Sequence, residues 1–350
     1  MNEKQALYPS RKKPFLALIV LIFCAPLLFS SSYTLSLFVL IGIYSMITIG
    51  LSLLMGYAGQ ISLGHAGFFA IGAYMSAVLT TMYDVPSWIA MIAGMALTAF
   101  LSFLIGIPIL KLKEHFLAFA TIGVNVIIYI FLLGKTDLTK GAAGLSGIPN
   151  LTIFGYEFRN ELSFYFLIWG IVLLIVLFSL NIVQSHVGRV LRGIHDSEIA
   201  TLTQGVNVAK YKLHIFVISA VFASLAGSLY AHFMNFITPH MFHVLVSIQF
   251  LVMVVVGGSQ SIWGAICGAF VMTMLGEWVR KYLPMVMDTS GEIEIMVYGA
   301  VLILVIMFMP KGLIPTASSI YEKIKKPRNE VERKEEYQNG QTDYANKRAN

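Results

Sequence analysis

The sequence predicts an all-α, polytopic integral membrane helical bundle of about 8–10 transmembrane segments, one of them broken by glycines. Three observations lead there. Hydrophobic residues make up 57% of the 350-residue chain and charged residues only 12%, against about 45–50% and about 25% in soluble domains. Apolar runs near the length needed to cross a bilayer, about 20 residues for about 30 Å of hydrocarbon, recur almost from end to end. Within them lies GYAGQISLGHAGFFAIGAYMSA, residues 56–77, with glycines at 56, 59, 64, 67 and 72 and with Gln60, Ser62 and His65 among them. Backbone that leaves a regular helix at membrane depth is tolerated only when buried in protein or lining a watery cavity.

In order, the apolar segments fall at about 14–31, 34–55, 61–82, 87–110, 115–134, 162–182, 213–236, 244–257, 261–279 and 293–310. The first follows Arg11, Lys12 and Lys13 but lacks a small-residue cleavage pattern, so it reads as a retained span. The segment at 244–257 covers about 21 Å at 1.5 Å per residue, which is marginal for spanning; a half-helix that turns back with its successor is the other reading. Two polar interruptions remain: 135–161, rich in Gly, Pro and Asn turn residues, and 183–212. Residues 1–310 therefore read as one membrane domain, and 311–350, rich in Lys, Glu, Asn and Gln, as a polar tail too poor in apolar surface to pack. Its Lys323, Lys325, Lys326 and Arg328 suit a solvated tail better than a membrane surface.

Charge sets orientation. Placing both termini in the cytoplasm leaves only Lys135, Lys140, Arg159, Arg280 and Lys281, of 24 basic residues, outside, as the positive-inside rule requires. The loop 183–212 is then cytoplasmic and 135–161 extracytoplasmic. The net charge of +6 is spread over short loops and the tail, so nucleic acid is not an expected partner; membrane lipid is. Cys24 and Cys267 lie in apolar segments without neighbouring ligands, so no metal site is expected.

The residue chemistry of 56–77 divides in two. Gly59, Ser62, Ala66, Ala70, Ala73 and Ala77 recur at helical spacing and form a small face, which lets helices approach closely in lipid; Gly56, Gly64, Gly67, Gly264 and Gly268 belong to the same packing and hinge set. Gln60, Ser62 and His65 are candidates for a translocation path, with His65 read as a proton carrier, a substrate contact or, foremost, a hydrogen-bonded core residue. Gln60 and Gly64 are echoed by Gln260 and Gly264, a two-residue match as compatible with chance as with an internal repeat. Glu277 and Glu294 lie near segment ends and no carboxylate occupies an evident midplane, which argues against ion coupling. Gly134-Lys135-Thr136 is not a phosphate-binding loop, since Tyr129 stands where its first glycine belongs. Serine-nucleophile, HExxH and Cys motifs are missing too, so a transporter without its own ATPase site, and without a bound cofactor, is expected rather than an enzyme.

Energy would enter through the cytoplasmic loop. In HVGRVLRGIHDSEIATLTQGVNVAKYK, Asp196 is expected to cap a short helix with Glu198 in its first turn and Gly205 at its stop. Such a helix suits a docking element for a soluble partner; an ordinary solvated loop is the alternative.

Three stretches carry a resemblance: GYAGQISLGHAGFFAIGAYMSA, the outer LTKGAAGLSGIP, and GRVLRGIHDSEIATLTQGVNVAKYKLHIFVISAVFASLAGSLYAH. They resemble, in order, the permease subunits of branched-chain amino acid ABC importers, the LivM-like half of the LivH/LivM permease family. That resemblance implies a homologous LivH-like permease as partner, two LivG/LivF-like ABC ATPase subunits that hydrolyse ATP, an extracytoplasmic solute-binding protein delivering near 137–150, and a cell (inner) membrane location. It implies ATPase docking at about 195–206, with Arg192, Asp196, Glu198, Ala200, Gly205 and Asn207 as coupling residues. Leucine, isoleucine and valine, or a related small polar solute, would be the cargo. Departures occur: the family's GGLGSxWGPxxGA appears as GGSQSIWGAICGA, with Ser259, Gln260 and Ala265 altered, and Lys113-Glu114-His115-Phe116 replaces a Gly-Asp-type pair. They leave open a urea or amide permease of the same family; an ion-coupled carrier is the more distant alternative.

Overall fold

The computed structural model describes residues 12–28, 31–112, 114–153 and 155–282, with isolated positions between 297 and 316. The expected segment at 293–310 and the tail at 311–350 lie outside the described residues or at those isolated positions. Among the described residues, eight helices are long and apolar enough to cross a membrane, so the chain is a multi-pass membrane protein. A shorter helix, α1 (Lys12–Leu28), precedes them. The spanning helices are α2 (Ser32–Leu51), α3 (His65–Met82), α4 (Ser87–Ile109), α5 (Glu114–Gly134), α7 (Glu161–Gln184), α10 (Val208–Met234), α11 (Val244–Gly257) and α12 (Ile262–Tyr282); the one-turn α6 (Thr136–Thr139) follows α5. A 3-10 turn, Pro239–Phe242, extends the apolar stretch of α11 to 19 residues, Pro239–Gly257.

Burial separates central helices from lipid-facing ones. Over the most apolar 18 residues of each span, 89% of residues are buried inside the protein in Ser32–Tyr57 but only 22% in Phe116–Gly134. A helix apolar all round and enclosed all round belongs at the centre of a bundle, and α2 packs on α7, α10, α11 and α12. By contrast α4 and α5 present Phe100, Phe103, Leu104, Phe119, Ile127 and Ile130 outward, as lipid requires.

Lipid cannot satisfy a backbone group, so each break in a helix needs a substitute partner inside the protein. Pro26 in α1 has no N–H to give the carbonyl of Ile22; the buried Tyr165 hydroxyl of α7 donates to that carbonyl at 2.9 Å. Close helix approach follows from small residues. On the contact between α3 and α10, a Cβ at Gly72 would fall on the Ser224 carbonyl and one at Gly227 on the Phe69 carbonyl. The backbones touch there, and dispersion between them supplies what hydrophobic burial cannot supply in lipid.

The two ends of the bundle differ. One carries two short helices, α8 (His186–Asp196) and α9 (Glu198–Thr203), between α7 and α10. The other carries the interruption 135–161, which is tied down by short antiparallel pairings. There β1 (Leu145–Ser146) pairs with β4 (Phe236–Ile237), and β2 (Thr152–Ile153) pairs with β3 (Tyr156–Glu157).

Candidate functional site

The glycine-rich segment is broken in space as its residues suggest. The last turn of α2 widens into a π-turn, Ser52–Tyr57, a form common where a helix is locally strained or functional. Gly59 then takes φ +67, a left-handed conformation open to glycine. Residues 60–64 run without helix, buried at Gln60, Ser62 and Gly64, before α3 begins at His65 rather than at 61. The freed donors are met one by one: Gln60 N–H by Leu54 O at 3.1 Å, Leu63 N–H by Thr121 Oγ1 at 3.0 Å, Gly64 N–H by Ser62 Oγ at 3.4 Å and Ala66 N–H by Ser247 Oγ at 2.9 Å. Side chains of α5 and α11 thus hold the start of α3 in place.

Polar atoms left over mark this stretch. His65 is fully buried, with Nε2 at 2.7 Å from the Ser219 hydroxyl of α10 and Nδ1 without a partner. Gln60 Oε1 and Asn125 Oδ1 are buried and unmatched as well. Asn125 donates through Nδ2 to Ser247 Oγ at 3.5 Å, and its Oδ1 lies 3.1 Å from where a Cβ on Gly67 would stand. A buried polar atom without a partner costs about 1–3 kcal/mol, so three around one helix start call for an explanation beyond packing. Thr121, Asn125 and Ser247 were not singled out from sequence. The spacing of Thr121, Asn125 and Tyr129, one turn apart along α5, was the signal for the first two.

The glycines chosen from sequence all sit at close approaches between elements. A Cβ at Gly56 would fall on the Ser259 carbonyl; Gly64 abuts the backbone of Thr121, Gly67 abuts Ile128 and Asn125, Gly264 abuts Gly257, and Gly268 abuts the Met253 carbonyl. Gly59 abuts His195 of α8, whose Nδ1 is 3.2 Å from its would-be Cβ.

His195 joins the broken segment to the α8/α9 end. Its Nε2 accepts from Gln260 Nε2 at 2.8 Å. The Gln260 carbonyl accepts from Tyr57 Oη at 2.8 Å, and the Ser259 carbonyl from Ser52 Oγ at 2.6 Å. The turn between α11 and α12, the π-turn of α2 and the tip of α8 therefore form one interlocked unit. Gln60 and Gln260, paired in sequence by their spacing, play different parts: one is buried with an idle oxygen, the other binds His195.

The short helices divide the remaining candidates. Ser185 caps α8 by accepting from Val187 N–H at 3.1 Å, Val190, Leu191 and Ile194 bury its apolar face, and Arg192 donates to the Val183 carbonyl at 3.2 Å. Asp196 is the last residue of α8 and not the cap of α9. Ser197 is that cap: its backbone is extended (φ −161, ψ 109) and its hydroxyl accepts from Ala200 N–H at 3.3 Å. Only a residue outside both helices has the backbone angles a cap needs, and Asp196 is still helical. Glu198 accepts from Lys212 Nζ at 2.6 Å, across to α10. Gly205, at φ +79, follows α9, and Asn207 caps α10 through Oδ1 and Lys210 N–H at 3.1 Å. Ala200 is exposed, and beside it Ile199 is 76% and Leu202 51% exposed. This bare apolar pair, one turn apart on a polar loop helix, was legible in sequence but was not picked.

Comparison with known proteins follows the same lines. The family described as "Branched-chain amino acid transport system / permease component" matches residues 33–306. The chain is 32% identical over 330 residues to the high-affinity branched-chain amino acid transport system permease protein LivM of Escherichia coli, covering 87% of this chain and 75% of the relative. It is 30% identical over 296 residues to the protein of the same name in Salmonella typhimurium, covering 78% and 68%. A more distant similarity, 21% over 280 residues, covering 77% of this chain and 86% of the relative, links it to a "Probable branched-chain amino acid transport permease protein LivH" of Methanocaldococcus jannaschii.

Proposed function

Because the chain belongs to the family of permease components of branched-chain amino acid transport systems, we propose that it forms one half of the translocation path of an ABC importer for leucine, isoleucine and valine. A homologous permease subunit supplies the other half; similarity to both LivM and LivH relatives supports that pairing. ATP is bound and hydrolysed by two separate ATPase subunits, and an extracytoplasmic solute-binding protein delivers the cargo. The α8/α9 end faces the cytoplasm, where the basic residues of the loops gather.

Family membership carries the transport reading, and the contact of His195 with Gln260 and Gly59 carries its coupling part. In the proposal, ATPase subunits grip α9 through Ile199 and Leu202, apolar side chains that otherwise stand in water at a cost. The salt bridge from Glu198 to Lys212 and the cap at Ser197 keep α9 rigid enough to transmit a push. Asp196, at the joint of the two helices, and Arg192, which ties α8 to α7, complete the lever. Displacement of α8 moves the π-turn and the Ser259–Gln260 turn together, and with them the polar start of α3. Gln60 Oε1, His65 Nδ1 and Asn125 Oδ1, which lack partners in this arrangement, meet water or substrate when the path opens.

The test is uptake in proteoliposomes holding both permease subunits, both ATPase subunits and the binding protein. ATP-dependent accumulation of labelled leucine, absent with urea as cargo, is expected. Uptake driven by an ion gradient with this chain alone, or ATP-driven uptake of urea in place of leucine, would overturn the proposal.

A further inference from the structure

At the strand end of the bundle, opposite α8 and α9, a cavity of about 380 Å³ lies between α2, α7, α10 and the interruption 135–161. That volume falls in the range of small-ligand sites. Its walls are of two kinds. Leu40, Phe164 and Phe233 give an apolar side, with the two phenylalanine rings 5.2 Å apart. Asn150, Arg159 and Glu161 give a charged and polar side.

The charges on that side are unevenly matched. Glu157 accepts from Arg159 Nε at 3.0 Å and from Asn150 Nδ2 at 3.0 Å, and these bonds hold its carboxyl below the usual carboxylate range. Glu161, which faces the cavity, has no ion pair among the described residues, and its Oε2 is buried without a hydrogen-bond partner. It stands in the first turn of α7, and a dehydrated carboxylate oxygen left without a donor costs free energy. Arg159 uses Nε on Glu157, and its guanidinium fork is built to take a second carboxylate.

The frame around the cavity is fixed. Asn235 Nδ2 donates to the Ile148 carbonyl at 2.9 Å and to Asn150 Oδ1 at 3.2 Å. His232 engages the Pro149 carbonyl and the Ser76 hydroxyl, each at 2.8 Å. The loop is thereby pinned to α10 and α3, so that the charged and apolar walls are both in place before any ligand arrives.

We propose that this cavity is a binding site for a small ligand that carries an ammonium group on an aliphatic body, of which an apolar α-amino acid is the zwitterionic form. The ammonium supplies the donors that Glu161 lacks, the aliphatic body lies on Leu40, Phe164 and Phe233, and a carboxylate, when present, meets Arg159. As a station through which transported cargo passes, the site rests on the transport function proposed above; as a binding site it does not.

The experiment uses the assembled transporter in nanodiscs without its solute-binding protein and measures equilibrium binding of three probes: L-leucine, 3-methylbutylamine and 4-methylpentanoate. Saturable binding of leucine and the amine is expected, with none of the carboxylate. Glu161→Gln is expected to weaken both ligands by roughly tenfold or more, the effect of removing one charge from a desolvated pair, whereas Arg159→Met weakens leucine alone. Leu40→Trp, which fills the apolar side without touching a charge, removes both and guards against a misfolded Glu161 variant. Lack of saturable binding to the wild type, or affinities unchanged in Glu161→Gln and Leu40→Trp, overturns the site. ATP-driven leucine uptake measured in parallel separates the two claims. Uptake without cavity binding leaves transport standing and removes the site; amine binding without uptake does the reverse.

Discussion

The two ends of this bundle are held by opposite means. At the α8/α9 end, elements meet through backbone: Gly56 lies against the Ser259 carbonyl, Gly59 against His195, and hydrogen bonds from Ser52 and Tyr57 reach carbonyls of the 259–260 turn. At the strand end, the β1–β4 pairing anchors one part of the loop, while asparagine and histidine side chains hold the rest over open space, and the cavity remains beneath it. Touching backbones move as one body, because close-packed interfaces switch between arrangements rather than deform. A suspended loop leaves room for a ligand. The difference teaches that one end is suited to passing on a displacement and the other to receiving a molecule.

Glycine substitution breaks that comparison most sharply. Gly56→Ala places a methyl group on the Ser259 carbonyl; forced separation is expected to cost about 3 kcal/mol or more, seen as a large loss of thermal stability in detergent. Gly147, at the other end, has φ +74 but nothing within 4 Å of a would-be Cβ. Gly147→Ala is expected to cost only the left-handed strain, about 1–2 kcal/mol. Equal losses from the two would erase the distinction.

The next effect concerns partner binding. Ile199→Asp with Leu202→Asp leaves the bundle intact, since both side chains are exposed, and is expected to prevent co-purification of the ATPase subunits. Retained association would move the docking surface elsewhere. Smaller still is the cap: Ser197→Ala removes the acceptor for Ala200 N–H and is expected to cost about 1 kcal/mol of local helix stability, read as faster amide exchange across α9. Asp196→Ala serves as its control, with exchange in α9 unchanged; the reverse order would restore Asp196 as the cap.

Much of this fold was legible in the chain. Segments expected at 34–55, 87–110, 115–134 and 162–182 appear within two residues at each end as Ser32–Tyr57, Ser87–Ile109, Glu114–Gly134 and Glu161–Gln184. Lipid imposes length and apolarity so strongly that little else fits. The start of α10 was harder to read: it begins at Val208, not 213, because Lys212 reaches Glu198 and Asn207 supplies a cap, contacts that hydropathy does not register. The break at Gly59 was visible from its glycines, but its partners were not. Thr121, Ser247 and His195 lie 58 or more residues away, and a single sequence carries no record of such pairings. Gln260, legible in sequence as an echo of Gln60 and a departure from the family pattern, became informative once its side chain was seen on His195. The cavity at the strand end depends on how four elements meet and left no local trace.

The central claim is that α8 drives the broken segment through the Gln260–His195 contact, and the most direct measurement is the ratio of leucine transported to ATP hydrolysed in proteoliposomes. Gln260→Leu removes the side-chain bond to His195 while keeping the carbonyl that Tyr57 uses. Hydrolysis within about twofold of wild type with uptake lowered by about tenfold, the worth of one hydrogen bond of about 1.4 kcal/mol, is the result this account predicts. An unchanged ratio, whether both rates persist or both fall together, would contradict it.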